Sequence, residues 1–381
     1  MKYKLLAILF LLLFLDCFYA VDRDLITVEK IEKLAALNPE LAYRQGIKIN
    51  SDTKLDSKNK LRLLLLLTKI SNETKRYSEA LHLGNEGLEL SVKSKKTLFE
   101  LKFLGILGNI YQSLKVNDKT KYYLNRAEDL LKKTKLPASQ QHIKGNILYL
   151  KGMNYAFTLD CNMALEYFDQ SINAYKISDH PLTKINIKLA YLNKAFCLLE
   201  MNKLKDAEYY LNLSQINTYK NLKKSGIPES YIMIINQSVE LGFAKLFSLK
   251  NNFQLSNERL LAILKVKNTT NISEIEADVY TQLSSNFLRL KNIEKSKFYQ
   301  SLYRQKISQE DKNQIQILNK LLQQEKELSK DKIDRNSENA VYLFILLVCV
   351  FALISFILLK KLKKIKQQNK SIENEIYVID N

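Results

Sequence analysis

The residues best suited to chemistry in this sequence are three histidines and four cysteines. His82, His142 and His180 are far apart, whereas metal sites usually draw two ligands from neighbouring positions. No histidine has a second histidine or a cysteine four residues away. The sequence also lacks the glycine-rich phosphate loops, the serine nucleophile motif and the zinc-binding H-E-x-x-H motif. We therefore predict that the chain is not an enzyme and uses no catalytic residue, metal or cofactor.

The cysteines do not form a disulfide framework. Cys17 and Cys349 lie in apolar stretches near the two ends of the chain, which leaves only Cys161 and Cys197 in its body. Two isolated cysteines do not define a disulfide pattern. We expect two buried thiols, and a bridge between them stays an alternative because an exported domain meets oxidising conditions.

Composition favours helices throughout the chain. Only 9 glycines and 4 prolines occur in 381 residues, and neither occurs after Gly242. Sheets and turns need such residues at regular intervals, so their scarcity predicts an all-α protein. Hydrophobic residues make up 46% of the sequence, which is enough to bury one face of each helix.

The formal net charge of +19 does not by itself predict nucleic-acid binding. Most lysines are mixed with aspartate and glutamate along the chain, and no basic stripe is interleaved with aromatic residues. We interpret most of the excess as solvated helix faces, and we expect no nucleic-acid partner.

The N-terminus has the layout of a secretory signal. Lys2 and Lys4 precede an apolar run from Leu5 to Leu15, and a polar stretch begins after Ala20. This run is too short to span a bilayer comfortably. We predict a signal peptide over residues 1–20, with an uncleaved anchor and lipidation at Cys17 as alternatives.

A second apolar segment predicts a transmembrane helix over residues 340–359. Its twenty residues carry no charge, which matches the length needed to cross the hydrocarbon core. A dense lysine cluster follows from Lys360 to Lys370, and positive charge marks the cytoplasmic side. We therefore expect a single-pass protein of the inner (cytoplasmic) membrane, with an exported, periplasmic body and a cytoplasmic C-terminus.

Two sequence stretches share a repeating pattern. One is the L-G-x-x-Y of Leu107 to Tyr111, and the other begins at Gly152 and continues with Ala164 and Phe168. This pattern resembles the tetratricopeptide repeat (TPR), although the spacing between copies is longer than in that family. A small residue recurs in register at Ala80, Thr120, Ala164, Ala207, Ser256 and Ser296.

The resemblance implies a right-handed α-solenoid of TPR-like helix pairs. We place the repeat array at residues 55–303, preceded by a helical N-terminal cap at 21–54 and followed by a helical linker at 304–339. Such arrays present a concave surface to a partner and carry out no chemistry themselves. The first helix of each pair is expected to line that surface. The candidate groove residues are Lys69, Asn72, Asn109, Gln112, Tyr149, Met153 and Lys245.

The tail at residues 360–381 carries a short heptad pattern. Its apolar positions are interrupted by a single asparagine, as in coiled coils whose register and two-stranded state are fixed by a buried polar residue. The seam consists of Leu362, Ile365, Asn369, Ile372, Ile376 and Ile379. We expect a parallel homodimer through this tail, and chance amphipathicity stays the alternative because the pattern is shorter than most coiled coils.

The whole layout resembles membrane-spanning bacterial TPR regulators, but the part after Leu359 is too short for a DNA-binding domain, and no histidine follows His180. Our leading interpretation is a non-catalytic, membrane-anchored repeat protein that binds a protein or peptide and acts as a signalling scaffold. The alternative is a truncated or split transmembrane transcriptional regulator. An envelope-assembly adaptor is a third possibility.

Overall fold

The computed structural model describes residues 27–52, 55–216, 229–266 and 273–309, and then 312, 314–321, 323, 342, 344–351 and 360. These residues contain helices and no strand, so the all-α prediction is confirmed. The chain divides into two compact units, one ending at Ile317 and the other beginning at Leu318.

The first unit is a series of helices, and short turns or loops join those whose connections the structure describes. Two N-terminal helices are α1 (27–37) and α2 (Pro39–Asp52). The middle of the unit contains α3 (Ser57–Glu73), α4 (Tyr77–Lys93), α5 (Thr97–Ser113), α6 (Asn117–Lys133), α7 (Gln141–Phe157) and α8 (Cys161–Ile177). It continues with α9 (Thr183–Glu200), α10 (Leu204–Ser214), α11 (Glu229–Leu249), α12 (Phe253–Lys265), α13 (Ser273–Arg289) and α14 (293–309).

From α3 onward the helices form pairs, and the same turn joins the two helices of each pair. One non-glycine residue in each turn adopts a left-handed backbone with φ between 56° and 62°. In every case the next helix begins two residues later. The left-handed residues of these turns are Lys75, Lys115, Leu159, Asn202, Asn251 and Lys291. A shared turn geometry therefore sets how each second helix returns along the first.

The recurring small residues predicted from the sequence lie in the second helix of each pair. Each follows the left-handed turn residue by the same interval, and each is buried, with at most 8% of its surface exposed. These residues are Ala80, Thr120, Ala164, Ala207, Ser256 and Ser296. A larger side chain at this point would separate the two helices.

Glycines on the first helices allow side chains of the second helices to approach the backbone closely. A Cβ atom on Gly108 would lie 2.7 Å from Cδ2 of Leu124, and one on Gly152 would lie 2.6 Å from Cε1 of Phe168. Both distances are shorter than a van der Waals contact. The two glycines that carried the repeat pattern in the sequence are therefore places where side chains of the second helix touch the backbone of the first.

Neighbouring pairs are also joined by buried lysines. Lys151 on α7 reaches back to Glu128 on α6, with 2.5 Å between Nζ and Oε2, and the Tyr167 hydroxyl of α8 donates to the same carboxylate. Lys194 on α9 repeats this contact with Asp169 on α8. Burial alone would lower the pKa of Lys151, but its hydrogen bonds to Glu128 and Tyr167 outweigh burial and raise it. The charge of each of these lysines is therefore paired with a carboxylate of the protein.

Cys161 and Cys197 meet at the junction of α8 and α9. Both are thiols, and they pack in one cluster with Ala164 and Phe168. Burial and the neighbouring Cys161 thiol raise the pKa of Cys197 well above its usual range. The structure thus places close together two cysteines for which the sequence predicted either buried thiols or a disulfide bridge.

Among the described residues, one helix is long and apolar enough to cross a membrane by length and composition. It is Tyr231–Leu249, within α11. Its side chains Val239, Phe243 and Leu246 pack with α9 and α10, and Leu241 packs with α12 and α13. Its apolar character is therefore accounted for by contacts inside the repeat array.

The second unit contains the predicted membrane span. Residues 344–351 are helical, and large apolar side chains from Phe344 to Phe351 are exposed, the latter with 74% of its surface accessible. The rest of the segment at 340–359 is described only at Tyr342, which is also exposed. The signal peptide at 1–20 and the coiled-coil seam lie outside the described residues, as does most of the linker beyond residue 323.

Within the first unit, one hydrogen bond joins residues that are far apart in the sequence. The chain is helical again at residues 314–321, and Gln314 Nε2 donates a hydrogen bond of 2.6 Å to the backbone carbonyl of Leu114 at the end of α5. These residues are separated by 200 positions, so the segment after α14 returns to an early helix pair.

We predict that Gly152→Ala lowers the free energy of unfolding by about 1–3 kcal/mol, because the new methyl group displaces the Phe168 ring. Gly105→Ala is the matched control, because its Cβ would meet only Ile147 at an ordinary 3.6 Å. That substitution should be neutral or stabilising by up to about 1 kcal/mol through helix propensity. Urea unfolding followed by circular dichroism measures both, and equal effects would contradict the close approach at Gly152.

Candidate functional site

An open cavity of about 550 Å³ lies across the first helices of the repeat array. Its walls come mainly from α3, α5, α7 and α9, with Tyr175 of α8, His180 of the α8–α9 loop and Tyr231 of α11 completing them. Side chains of successive first helices therefore meet around one space, as the TPR resemblance implied.

The cavity runs obliquely across these helices. It is lined by the second half of α3, from Leu65 to Glu73, and by the middle of α5, from Leu101 to Asn109. On α7 it is lined by the first half, from His142 to Leu150, and on α9 only by the first two turns. Each successive helix thus contributes residues nearer to its N-terminus.

Four of the seven groove residues predicted from the sequence line this cavity. They are Lys69, Asn72, Asn109 and Tyr149. Their role in binding a partner stays a prediction.

The other three predicted groove residues lie elsewhere. Met153 packs against the cluster of Ala164 and Phe168 between repeats, and Lys245 lies with Nζ 5.2 Å from the centre of the Phe196 ring. Gln112 is one helical turn beyond the part of α5 that lines the cavity, and its buried Oε1 has no hydrogen-bond partner. Equivalent helix positions do not share one cavity because the cavity is oblique to the helices.

Two lysines that line the cavity make no direct ion pair. Lys69 comes from α3 and Lys102 from α5, and neither forms an ion pair in the part of the chain that the structure describes. Lys69 is exposed to solvent and also lines the cavity. Partial burial lowers the pKa of Lys69, and the carboxylates of Glu73 and Glu32 only partly oppose the change. Enclosure and repulsion from Lys69 also lower the pKa of Lys102.

The polar groups at the opposite end of the cavity are already paired. Asn146 Oδ1 accepts hydrogen bonds from the Tyr175 hydroxyl at 2.9 Å and from Asn186 at 3.2 Å. The Tyr149 hydroxyl accepts one from Asn193 at 2.9 Å. Burial raises the pKa of Tyr149 and Tyr175, so both phenols stay neutral.

The asparagines near the two lysines differ from this paired group. The Oδ1 atom of Asn72 is buried without a hydrogen-bond partner. Asn109 lines the cavity, and its side chain makes no hydrogen bond to any described residue. Unpaired amides inside a cavity are free to bind the backbone of an extended peptide.

Two histidines that are distant in sequence stack in the cavity wall. The rings of His142 and His180 are 4.1 Å apart between centroids and inclined by 26°. His142 Nδ1 lies 3.0 Å from the Ser139 carbonyl, which can only accept, so this nitrogen carries the hydrogen. His180 Nδ1 instead accepts from the backbone N–H of Leu182 at 3.3 Å. Sequence reasoning missed this pair because the residues belong to different repeats.

The histidine pair is neutral at pH 7. Partial burial lowers the pKa of His142 to about 4, and the positive charges of Lys102 and Lys69 act in the same direction. Burial and the same lysines also lower the pKa of His180, although Asp179 opposes them. No group of three potential metal ligands occurs among the described residues. The groups that line the cavity can form hydrogen bonds and carry charge.

The sequence matches no protein-family model and no curated protein. Solved structures that resemble this one include the apo form of RapI and a Rap protein complexed with competence and sporulation factor. RapI is 12% identical, and the match covers 78% of this chain and 98% of RapI with a TM-score of 0.53. The Rap complex is 13% identical, with 77% of this chain and 75% of the other covered and a TM-score of 0.51. The shared feature is a TPR-like helical-repeat fold.

We predict that His142 makes stability depend on pH. Its folded pKa of about 4 lies below its usual value, so folding favours the neutral ring, and stability is lost as the pH falls from about 6.5 to about 4. Allowing for solvent at the ring, we expect a loss of about 1 kcal/mol between pH 7 and pH 5 that His142→Gln removes. His82→Gln, at an exposed position on α4, should leave this pH dependence unchanged. Identical pH profiles for the wild type and His142→Gln, by urea unfolding, would contradict the assignment.

Proposed function

We propose that this chain is a non-catalytic, membrane-anchored receptor or scaffold that binds a peptide or protein segment in the cavity of its repeat array. The observation that carries the proposal is an open cavity across consecutive first helices, with unpaired polar groups at Lys69, Asn72, Lys102 and Asn109. Polar groups of this kind fix the orientation of a ligand, and the apolar wall supplies contact area.

The shape of the cavity favours an extended ligand. It crosses four helices from neighbouring repeats, so one ligand can contact side chains from several repeats at once. The solved Rap protein complexed with competence and sporulation factor has a similar fold. That likeness supports a ligand-binding role for this architecture without identifying the ligand of this chain.

Membrane anchoring forms the second part of the proposal. The described part of the segment at 340–359 is a helix with exposed apolar side chains from Phe344 to Phe351. Such a surface is unfavourable in water and suits the hydrocarbon of a bilayer. Together with the basic residues after Leu359, it supports a single-pass protein with its repeat array outside the cytoplasm.

The binding proposal predicts which residues a selected peptide needs. Peptides would be selected from a random display library on the full-length chain held in lipid nanodiscs. The double change Asn72→Ala and Asn109→Ala should weaken binding of the selected peptide about tenfold. Each lost hydrogen bond contributes about 0.5–1.5 kcal/mol to the binding free energy. Lys245→Ala, outside the cavity, should change its Kd less than about twofold. Equal losses in both variants, with unchanged circular dichroism, would place the binding site elsewhere.

The topology is tested with a reporter enzyme that is active only outside the cytoplasm. A fusion after Ser301 should be active and a fusion after Asn381 inactive, because the lysine cluster keeps the tail inside. Immunoblotting confirms that the two fusion proteins are equally abundant. The reverse activities would overturn the export of the repeat array.

A further inference from the structure

We propose that Cys161 and Cys197 are a disulfide site that joins the third helix pair of the array to the fourth, and that a disulfide-bearing thiol oxidant outside the cytoplasm forms the bond. This inference rests on the proposed export of the repeat array, which supplies the oxidising conditions. It concerns the junction between two repeats and is independent of what the cavity binds.

The fold brings the two thiols to one place. Cys161 is the first residue of α8, and Cys197 lies on α9, the first helix of the next pair. Both pack in one cluster with Ala164 and Phe168. Burial and the nearby Cys161 thiol together raise the pKa of Cys197, so the two sulfur atoms affect each other. Two residues that are far apart in the sequence are therefore neighbours across the junction of two repeats.

The equivalent places in the following junction are also in one cluster. Cys161 lies two residues after one left-handed turn residue, and Cys197 lies five residues before the next one. The same two places one repeat later hold Leu204 and Leu246, which pack in a shared core cluster. The geometry of the array thus pairs these two places repeatedly. One junction fills them with apolar side chains, and the other fills them with two thiols.

The side chains around the cysteines are small where the helices meet. Ala164, one helical turn after Cys161, is fully buried in the same cluster as Cys197. Small side chains allow helix backbones to approach closely, and a disulfide needs its two Cβ atoms about 3.5–4.5 Å apart. The surroundings of the pair therefore suit the short separation that the bond requires.

No third cysteine competes for either thiol within the proposed exported body. Of the four cysteines in the sequence, Cys17 lies in the predicted signal peptide and Cys349 in the predicted membrane span. Cys161 and Cys197 are the two that lie between these segments. One intramolecular bond is therefore possible in the array, and it is the one that the fold favours.

The exposure of the two thiols determines the order of the exchange. Cys161 is partly exposed, so its thiolate attacks the disulfide of the oxidant and forms a mixed disulfide, which releases the first sulfur of the oxidant. Cys197 is buried, and it then attacks Sγ of Cys161 and releases the second sulfur. Each cysteine proton passes to a sulfur that leaves. Two thiols of the chain become one disulfide, and the disulfide of the oxidant becomes two thiols.

The bond acts on the part of the array that carries one wall of the cavity. Tyr149 of α7 packs in the same cluster as the two cysteines and also lines the cavity. Its hydroxyl accepts a hydrogen bond from Asn193 of α9. A covalent link between α8 and α9 therefore limits the rotation of one repeat against the next at this wall.

The bond is tested on the full-length chain in lipid nanodiscs, equilibrated with mixtures of reduced and oxidised glutathione. Peptide mapping by mass spectrometry under non-reducing conditions measures the fraction of chains with a Cys161–Cys197 disulfide. We expect the equilibrium constant for its formation to be about thirtyfold or more greater in the folded chain than in the chain unfolded in urea, because the fold holds the thiols together. Equal constants in the two states would overturn the inference.

Single variants test the order of the exchange. Cys197→Ala should retain glutathione as a mixed disulfide on Cys161, whereas Cys161→Ala should leave Cys197 unmodified because glutathione does not reach it. Oxidation should raise the Tm of the wild type by about 5 °C or more and leave that of Cys161→Ser plus Cys197→Ser unchanged. Glutathione that stays on Cys161 of the wild type, with no bond to Cys197, contradicts the disulfide site.

The same bond is sought in cells that express the full-length chain. Cells are quenched in acid, the chain is denatured, and free thiols are blocked with N-ethylmaleimide before peptide mapping. Cys161 and Cys197 should escape blocking unless the sample is first reduced, while Cys349 should be blocked in both samples. If the reporter fused after Ser301 is active and yet both array thiols are blocked without reduction, the inference fails while the export stands.

A different result would separate the two proposals in the opposite direction. If the purified chain forms the bond with glutathione but the reporter fused after Ser301 is inactive, the disulfide site stands and the proposed export fails.

Discussion

The architecture depends on one repeated constraint, which is the close approach of two helices just after a left-handed turn. The turn residue fixes the direction of the second helix, and the buried small residue that follows it lets the helices touch. Leu159 and Ala164 show the arrangement in the most regular repeat, where Gly152 meets Phe168 from the other side. Repeats of unequal length keep this junction, so the extra residues are accommodated elsewhere in the helices and loops.

Because each junction is local, sequence patterns were sufficient to predict it. Gly108, Gly152 and Ala164 were visible as spaced small residues, and the scarcity of glycine and proline elsewhere indicated helices throughout. The same logic found Lys69 and Asn109, which occupy corresponding places on α3 and α5. Met153, predicted by the same logic, lies outside this cavity, because a cavity oblique to the helices meets each one at a different height.

The residues that give the cavity its chemical character could not be inferred in that way. His142 and His180 come from the start of one first helix and from a loop of the next repeat, so their contact follows from the stacking of repeats. Lys102 lies at a helix position where the next repeat has Asn146. A rule based on residue spacing therefore does not single out Lys102 or the two histidines. The long apolar α11 also shows that hydropathy alone does not separate a buried array helix from a membrane span.

The hydrogen bond from Gln314 to the carbonyl of Leu114 has a mechanical consequence. In an open solenoid, small rotations between neighbouring helix pairs accumulate without restraint. Here one contact joins the segment after α14 to the end of α5, so the rotations along the intervening chain must sum to a fixed value while the contact holds. A change of angle at any one junction is compensated at others or strains that bond. This contact therefore links the curvature of the intervening repeats to a single residue, Gln314.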